Sequence, residues 1–305
     1  CTIPEMFGFV ASSFIPSLRH IREWKPDIVH AHFAVPTGAL ALACKILTGK
    51  KYVLTAHLGD LPGGNPDQTG GLFKILNPFI RPIWKNAAGI SASSSFASGL
   101  ARAAYGVRPR IILNGISMEG KRVTANRPSS PLQLAAVGLF NPQKNFPWMI
   151  RAPAGCGFPW RLSLIGDGSQ RAEIESAVRD AGIGDRVSLM GWVPELTMRE
   201  TLATSDVLLM PSTSEGNPVA AIEALKHGVA ILGSDIGGLS DLIENGTNGF
   251  AVPIATPEKN KKKLGWLAAH PDSLHKMKAA SLELATRFDL DKIAADFESL
   301  LSDSF

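Results

Sequence analysis

Cysteine is scarce in this chain. Its 305 residues hold three, Cys1, Cys44 and Cys156, far apart and odd in number. That pattern supports neither a disulfide framework nor a zinc site, and it fits a reducing, cytoplasmic compartment. No apolar run reaches the roughly 18 residues that a membrane-crossing helix needs. No basic, apolar and small-residue order marks a signal peptide, and residue 1 is Cys, so the sequence reads as part of a longer chain. Common catalytic signatures are missing too: there is no P-loop, no Gly-x-Ser-x-Gly elbow and no His-Glu-x-x-His. Asp-x-Asp occurs once, at Asp289-Leu-Asp291, where it suits capping a last helix better than binding metal. Gly166-x-Gly168 is a fragment of a dinucleotide fingerprint without its third glycine, weak support for a nicotinamide cofactor. No basic-aromatic motif points to nucleic acid.

What remains is a globular composition. Hydrophobic residues make up 45% and charged residues 19%, enough to bury a core, and the length suits two domains. Charge is uneven. Residues 1–125 hold 14 Lys+Arg against 6 Asp+Glu, while residues 126–305 hold 17 against 21. The basic first half suits an anionic partner, such as an acidic glycan or the inner face of a membrane.

Periodicity divides the chain into alternating helices and strands. Residues 13–25 read as an amphipathic helix with Phe14, Leu18 and Ile21 on one side. Asp27–Phe33 and Lys51–His57 read as strands around an apolar helix at 38–48, with a Gly/Pro-rich loop over 58–65. Residues 72–85 mix aromatic, aliphatic and basic residues, which suits a connecting helix broken by Pro78 and Pro82 better than a lipid contact. Ala88–Ser94 and Arg110–Leu113 close this half. Asn126–Pro131 is the best linker. Strands follow at 132–137, 161–165, 186–190, 207–210, 229–232 and 249–252, with helices between them and in the tail, the pattern of a parallel doubly wound sheet. His57 and His32 sit where strands give way to loops, the edge at which such sheets bind ligands. The residues favour a ligand contact for neither His30 nor His32 and leave it open for His57. Lys144 follows the strand at 132–137 and is placed to meet a phosphate or to be a solvated surface lysine.

Residues 205–227 form the most informative stretch. A buried strand at Val207–Met210 enters a polar loop, and Pro218 suits the first turn of a helix with Asn217 as its N-cap. The amides of Val219, Ala220 and Ala221 at that helix start suit a phosphate. Glu215 and Glu223 would repel a phosphate, so they suit sugar hydroxyls.

In order, Val137-Gly138 with Pro142-Gln-Lys144, Leu164–Gly168, Val187–Pro194, Pro211–Gly216, Glu223-Ala224 and Asp235–Gly246 resemble the donor-binding domain of the retaining nucleotide-sugar glycosyltransferases of family four. Asp27–Phe33, Thr55–Asp60 and Asn114–Ile116 resemble its first domain. The resemblance implies an α/β protein of GT-B type, with two Rossmann-like parallel domains facing a cleft. These would be a short acceptor-side domain over 1–125, a nucleotide-sugar domain over 132–285, and a tail over 286–305 packing back on the first. It implies transfer of a hexose from a UDP-, GDP- or ADP-sugar to a glycan or glycolipid with retention, without cofactor or metal. Glu215, His57 and Lys144 would act at the reacting centre. Glu223 would bind the ribose, Lys144 and the amides near Val219 and Ala220 would take the diphosphate, and Gly138, Gly216 and Asn217 would also bind the donor. The backbone around Trp192 and Val193 would meet the base. Two departures stand out. Leu139 occupies a position usually held by an arginine, for which Arg151 or Arg171 could substitute. The usual opening strand and Gly-rich loop are missing, which predicts a partner, a second copy or further residues over the short first domain. The alternatives are a nucleotide-sugar-binding subunit without turnover, or a GT-B phosphorylase or epimerase.

Overall fold

The apolar runs of the sequence lie in parallel strands. The computed structural model describes residues 3–64, 72–119, 125–253 and 257–305, so Asn65, the end of one predicted loop, lies outside it. In chain order the elements of the first part are α1 (Ile3–Trp24), β1 (Val29–His32), α2 (Ala39–Thr48), β2 (Tyr52–Ala56), α3 (Leu72–Asn86), β3 (Gly89–Ala92), α4 (Ser95–Tyr105) and β4 (Arg110–Ile111). Then come β5 (Leu132–Val137), α5 (Phe146–Ala154), β6 (Trp160–Ile165), α6 (Arg171–Asp180), β7 (Val187–Gly191), α7 (Glu195–Ala203), β8 (Val207–Met210) and α8 (Val219–Lys226). The chain ends with β9 (Ala230–Ser234), β10 (Gly249–Val252), α9 (Pro257–Ala269), α10 (Pro271–Ala285) and α11 (Leu290–Ser302). It divides into two compact units, Cys1–Asn114 with Asp291–Phe305, and Gly115–Leu290.

The first unit has a parallel sheet in the order β1-β2-β3-β4. Tyr52, Leu54 and Ala56 face a core completed by Ile80, Ile83 and Trp84 of α3 and Tyr105 of α4. Ile293 and Leu300 of α11 cover Val53 and Ile112. Two predictions fail here. Helix α1 begins at least ten residues before the predicted start at 13. Phe14, Leu18 and Ile21 share one side as expected and pack beside Leu40 and Cys44 of α2, while Phe7 and Phe9 of the first turns are exposed. Helix α3 is not broken by Pro78 and Pro82. Both prolines lie on its exposed side, where water can satisfy the freed carbonyls, while the buried Ile80, Ile83 and Trp84 hold the opposite side. The side chains of residues 72–76 lie outside the description.

The second unit has a six-stranded parallel sheet in the order β10-β9-β8-β5-β6-β7. Its runs are apolar because helices cover both faces. Beneath β8, the buried Lys278 of α10 bonds Asp206 Oδ1 at 2.8 Å and the Ser205 carbonyl at 3.1 Å. The other Asp206 oxygen accepts the amides of Ser129 and Gln133 at 3.1 and 3.0 Å. That single carboxylate ties the linker, β5 and α10 together.

Candidate active site

In the second sheet the chain leaves β5 outward through β6 and β7, then returns to β8 on β5's other side. Such a reversal opens a crevice at the carboxyl ends of the two central strands, because their following loops turn in opposite directions. The loops after β5 and β8 are Gly138–Asn145 and Pro211–Pro218. They are laced together. Thr213 N donates to the Gln143 carbonyl at 2.8 Å, and Gln143 Nε2 to the Ser214 carbonyl at 2.7 Å. Asn145 Nδ2 reaches the Pro211 carbonyl at 3.3 Å.

Between these bonds, Lys144 Nζ meets Glu215 Oε1 at 2.6 Å. Glu215 is 6% exposed. Lys144 stands on a short 3-10 turn whose start is capped by Asn141 Oδ1, accepting the Lys144 amide at 3.1 Å. The next residue, Asn145, has φ 55° and turns the chain into α5. Two residues singled out separately in the sequence are therefore one ion pair across the crevice.

Glycines set the tightness of these loops. A Cβ on Gly166 would lie 1.9 Å from the Gly138 carbonyl oxygen, and one on Gly168 would lie 2.5 Å from the Phe140 carbonyl oxygen. The Gly166-x-Gly168 pair thus lets the loop after β6 press on the loop after β5. A Cβ on Gly238 would lie 1.5 Å from the Glu215 carbonyl oxygen, so the loop after β9 backs directly onto Glu215.

Helix α8 starts one residue later than expected. Pro218, with φ −72° and ψ 118°, occupies the N-cap position predicted for Asn217, which lies before it, buried. Proline's fixed φ suits either place, but its extended ψ keeps it outside the helix. The Pro218 carbonyl accepts the amides of Ala221 and Ile222 at 3.0 and 3.3 Å, so Ala221 is not one of the open donors. Val219 and Ala220 precede any carbonyl within the helix that they could bond. Val219 is 48% exposed, and Gly216 is partly exposed.

Glu223 lies one turn into α8, buried, with Oε1 3.2 Å from Arg199 Nη2 of α7. His227 Nε2 stands 3.9 Å from the other oxygen. Burial lowers the His227 pKa, against the pull of Glu223. Arg199 was not visible as a site residue in the sequence. Its only legible partner was Glu195, one turn away, whereas the contact with Glu223 spans the strand between two helices. Trp192, in the turn after β7, is exposed, and Val193 is half-buried. Leu139 is exposed on the loop after β5. Of the two arginines considered as its substitute, Arg171 is held by Asp167 at 2.8 Å and Glu175 at 3.0 Å, and Arg151 lines a cleft with Glu258 and Lys261.

In the first unit, His57 ends β2. Its amide donates to Asp60 Oδ2 at 3.1 Å, and its ring stacks on Phe33 with centroids 4.2 Å apart. His57 Nε2 and His32 Nδ1 share a hydrogen bond of 3.1 Å. Burial, with His32 and His30 adding, pushes the His57 pKa down to about 4, so the ring is neutral near pH 7. His30 instead bonds Thr55 Oγ1 at 2.7 Å. Among the described residues no group of three or more His, Cys, Asp or Glu is arranged to hold a metal ion.

Residues 2–119 match the family described as Glycosyltransferase Family 4, and residues 131–270 match Glycosyl transferases group 1. The chain is 26% identical over 263 residues to the 2-deoxystreptamine glucosyltransferase of Streptomyces kanamyceticus, covering 77% of this chain and 66% of that protein. It is also 26% identical to the 2-deoxystreptamine N-acetyl-D-glucosaminyltransferase of Streptomyces fradiae, covering 87% and 70%. The chain thus spans about two thirds of the length of these relatives. Among solved structures, sucrose-phosphate synthase from Thermosynechococcus elongatus aligns with a TM-score of 0.84 at 18% identity, over 99% of this chain and 79% of that one. Anabaena Alr3699/HepE in complex with UDP and glucose aligns with a TM-score of 0.79 at 17% identity, over 96% and 81%. With both halves matched in order and the parallel α/β fold in common, the chain belongs to the family-4-like glycosyltransferases of GT-B fold.

Proposed function

We propose that this protein transfers a hexose from a nucleoside-diphosphate sugar to a glycan or glycolipid acceptor with retention of configuration. The observation that carries the reading is the Lys144–Glu215 pair at the sheet's switch point, beside a helix start with open amides. A cation and a helix N-terminus suit a diphosphate. A carboxylate beside them needs a hydroxyl-rich group as its partner, and the transferred sugar provides one. The incoming diphosphate takes over Lys144 and the amides of Val219 and Ala220, which leaves Glu215 for the sugar hydroxyls. Glu223 takes the ribose and the turn at Trp192 and Val193 the base. In the first unit, His57 is neutral near pH 7 and offers a hydrogen bond to a sugar hydroxyl without a charge.

On this reading the chain supplies position and charge compensation. The bond from the anomeric carbon to the diphosphate breaks as the acceptor oxygen bonds to that carbon on the same face. The acceptor proton passes to a phosphate oxygen of the leaving group, so no side chain forms a covalent intermediate. The basic first half suits an acceptor held at an anionic surface.

The test is a calorimetric titration of the chain with UDP, GDP, ADP and their sugar conjugates, repeated with Glu223→Ala. Binding of one base by the parent protein, weakened at least about tenfold in the variant, is the expected result. An unchanged affinity in a folded variant removes Glu223 from the site. Product anomeric configuration, read by NMR, decides retention.

A further inference from the structure

Glu223 is positioned by a residue from a neighbouring helix. Arg199 Nη2 lies 3.2 Å from Glu223 Oε1 and 2.7 Å from Glu195 Oε1, so one guanidinium bridges the outer end of α7 to the buried carboxylate. Glu223 Oε2 makes no hydrogen bond with the described residues, nor does either ring nitrogen of His227 or Arg199 Nε. Glu223 is 5% exposed. One carboxylate oxygen is fixed by a charge-assisted bond, and the other is buried facing His227 Nε2 at 3.9 Å. His227 is kept neutral by burial, and Lys226 donates to the Ser117 carbonyl at 2.7 Å. Arg199 is therefore the cation that holds the Glu223 carboxylate in place.

We infer that Arg199 is the positioning residue for nucleotide recognition: it holds the Glu223 carboxylate in the place where it accepts from the ribose diol. The preference of the site for ribose over a sugar lacking that diol then depends on the Arg199–Glu223 pair. This rests on the proposed role of Glu223 and adds a residue and a selectivity to it. Both carboxylates are met by one nitrogen, Nη2, at the end of a side chain long enough to reach from α7 to α8.

The experiment titrates the protein with UDP, GDP and ADP, then with the 2′,3′-dideoxy counterpart of whichever binds. The parent should prefer the ribonucleotide by about tenfold or more. In Arg199→Gln the preference should fall to within about threefold, with affinity for the dideoxynucleotide nearly unchanged. Arg199→Lys should restore part of the preference, and Glu195→Gln should leave it in place. A purely structural role would lower both affinities together. If Arg199→Gln keeps the full preference, the inference fails and the reading of Glu223 stands. If the parent binds both nucleotides equally, or binds none, Glu223 does not read ribose and both fail. Should Arg199→Gln not fold, the lysine variant decides, since an unchanged preference there overturns the inference.

Discussion

Asp60 shows how one side chain can carry two opposing requirements. Its oxygens accept the amides of Ala34 at 2.9 Å and His57 at 3.1 Å, which fixes the turn after β2 and with it the His57 backbone. Those bonds favour the carboxylate, but burial outweighs them and pushes its pKa up to about 7. The folded protein thus keeps a proton that the unfolded chain releases near pH 4. The stability this gives is present below pH 4 and lost as pH rises through 7, at no more than about 1.4 kcal/mol per pH unit. His57 acts in the reverse sense. Its pKa is depressed to about 4, so its contribution is present above pH 6.5 and lost as pH falls, in smaller measure because the ring is partly open to solvent. His30 and His32 are lowered as well. Replacing Asp60 with Asn removes only the first trend. Urea unfolding between pH 4.5 and 7 should show the variant's stability rising with pH more steeply than the parent's. Coincident slopes would mean that Asp60 titrates at its ordinary value.

Between elements, the decisive contacts are close approaches of loops. The loop after β9 touches the loop after β8 at Gly238, where a Cβ would lie 1.5 Å from the Glu215 carbonyl oxygen and 2.2 Å from its carbonyl carbon. No flexible side chain can give way there, since both clashing atoms are backbone. Gly238→Ala must push Glu215 outward, lengthen its bond to Lys144 and rotate the amides that follow. Turnover should fall by about a hundredfold, the scale seen when reacting groups move by about an ångström, while the sheet core stays intact. Transfer within threefold of the parent would show that Glu215 need not hold this position. The sequence signalled the strands of this sheet well, because β5, β8 and β10 are buried apolar runs whose predicted and observed limits agree. It did not signal the first ten residues of α1, where Phe7 and Phe9 are exposed, or the continuity of α3, in which the buried Trp84 stacks on Tyr105. The pairing of Lys144 with Glu215 and of Glu223 with Arg199 was equally hidden, since each links elements whose adjacency the fold alone decides.

At the scale of the molecule, the last helix belongs to the first unit although it follows the second in sequence. Ile293 and Leu300 cover Val53 and Ile112, and Arg110 Nη1 donates to Ser299 Oγ at 3.0 Å. Gly89 at the start of β3 has no side chain because Ser304 Oγ and Leu300 occupy the space a Cβ would need. The ion pairs of Arg110 with Asp296 and Asp303, each 3.6 Å, are exposed and add little. Removing residues 291–305 therefore deletes Ile293 and Leu300 and uncovers Val53 and Ile112, ending the burial of four apolar side chains at about 1.5–3 kcal/mol each. That is comparable with the whole stability of a small domain, about 5–15 kcal/mol. The sheet of the first unit should lose its protection, while the second unit retains every bond around Lys144, Glu215 and Glu223. Hydrogen exchange on the truncated chain should show peptides spanning β2 and β3 exchanging fast and those spanning β8 unchanged. The shift in exchange at α8 on adding the nucleotide that binds the full chain should persist. Loss of that shift with β8 still protected would mean that the second unit does not bind the nucleotide by itself.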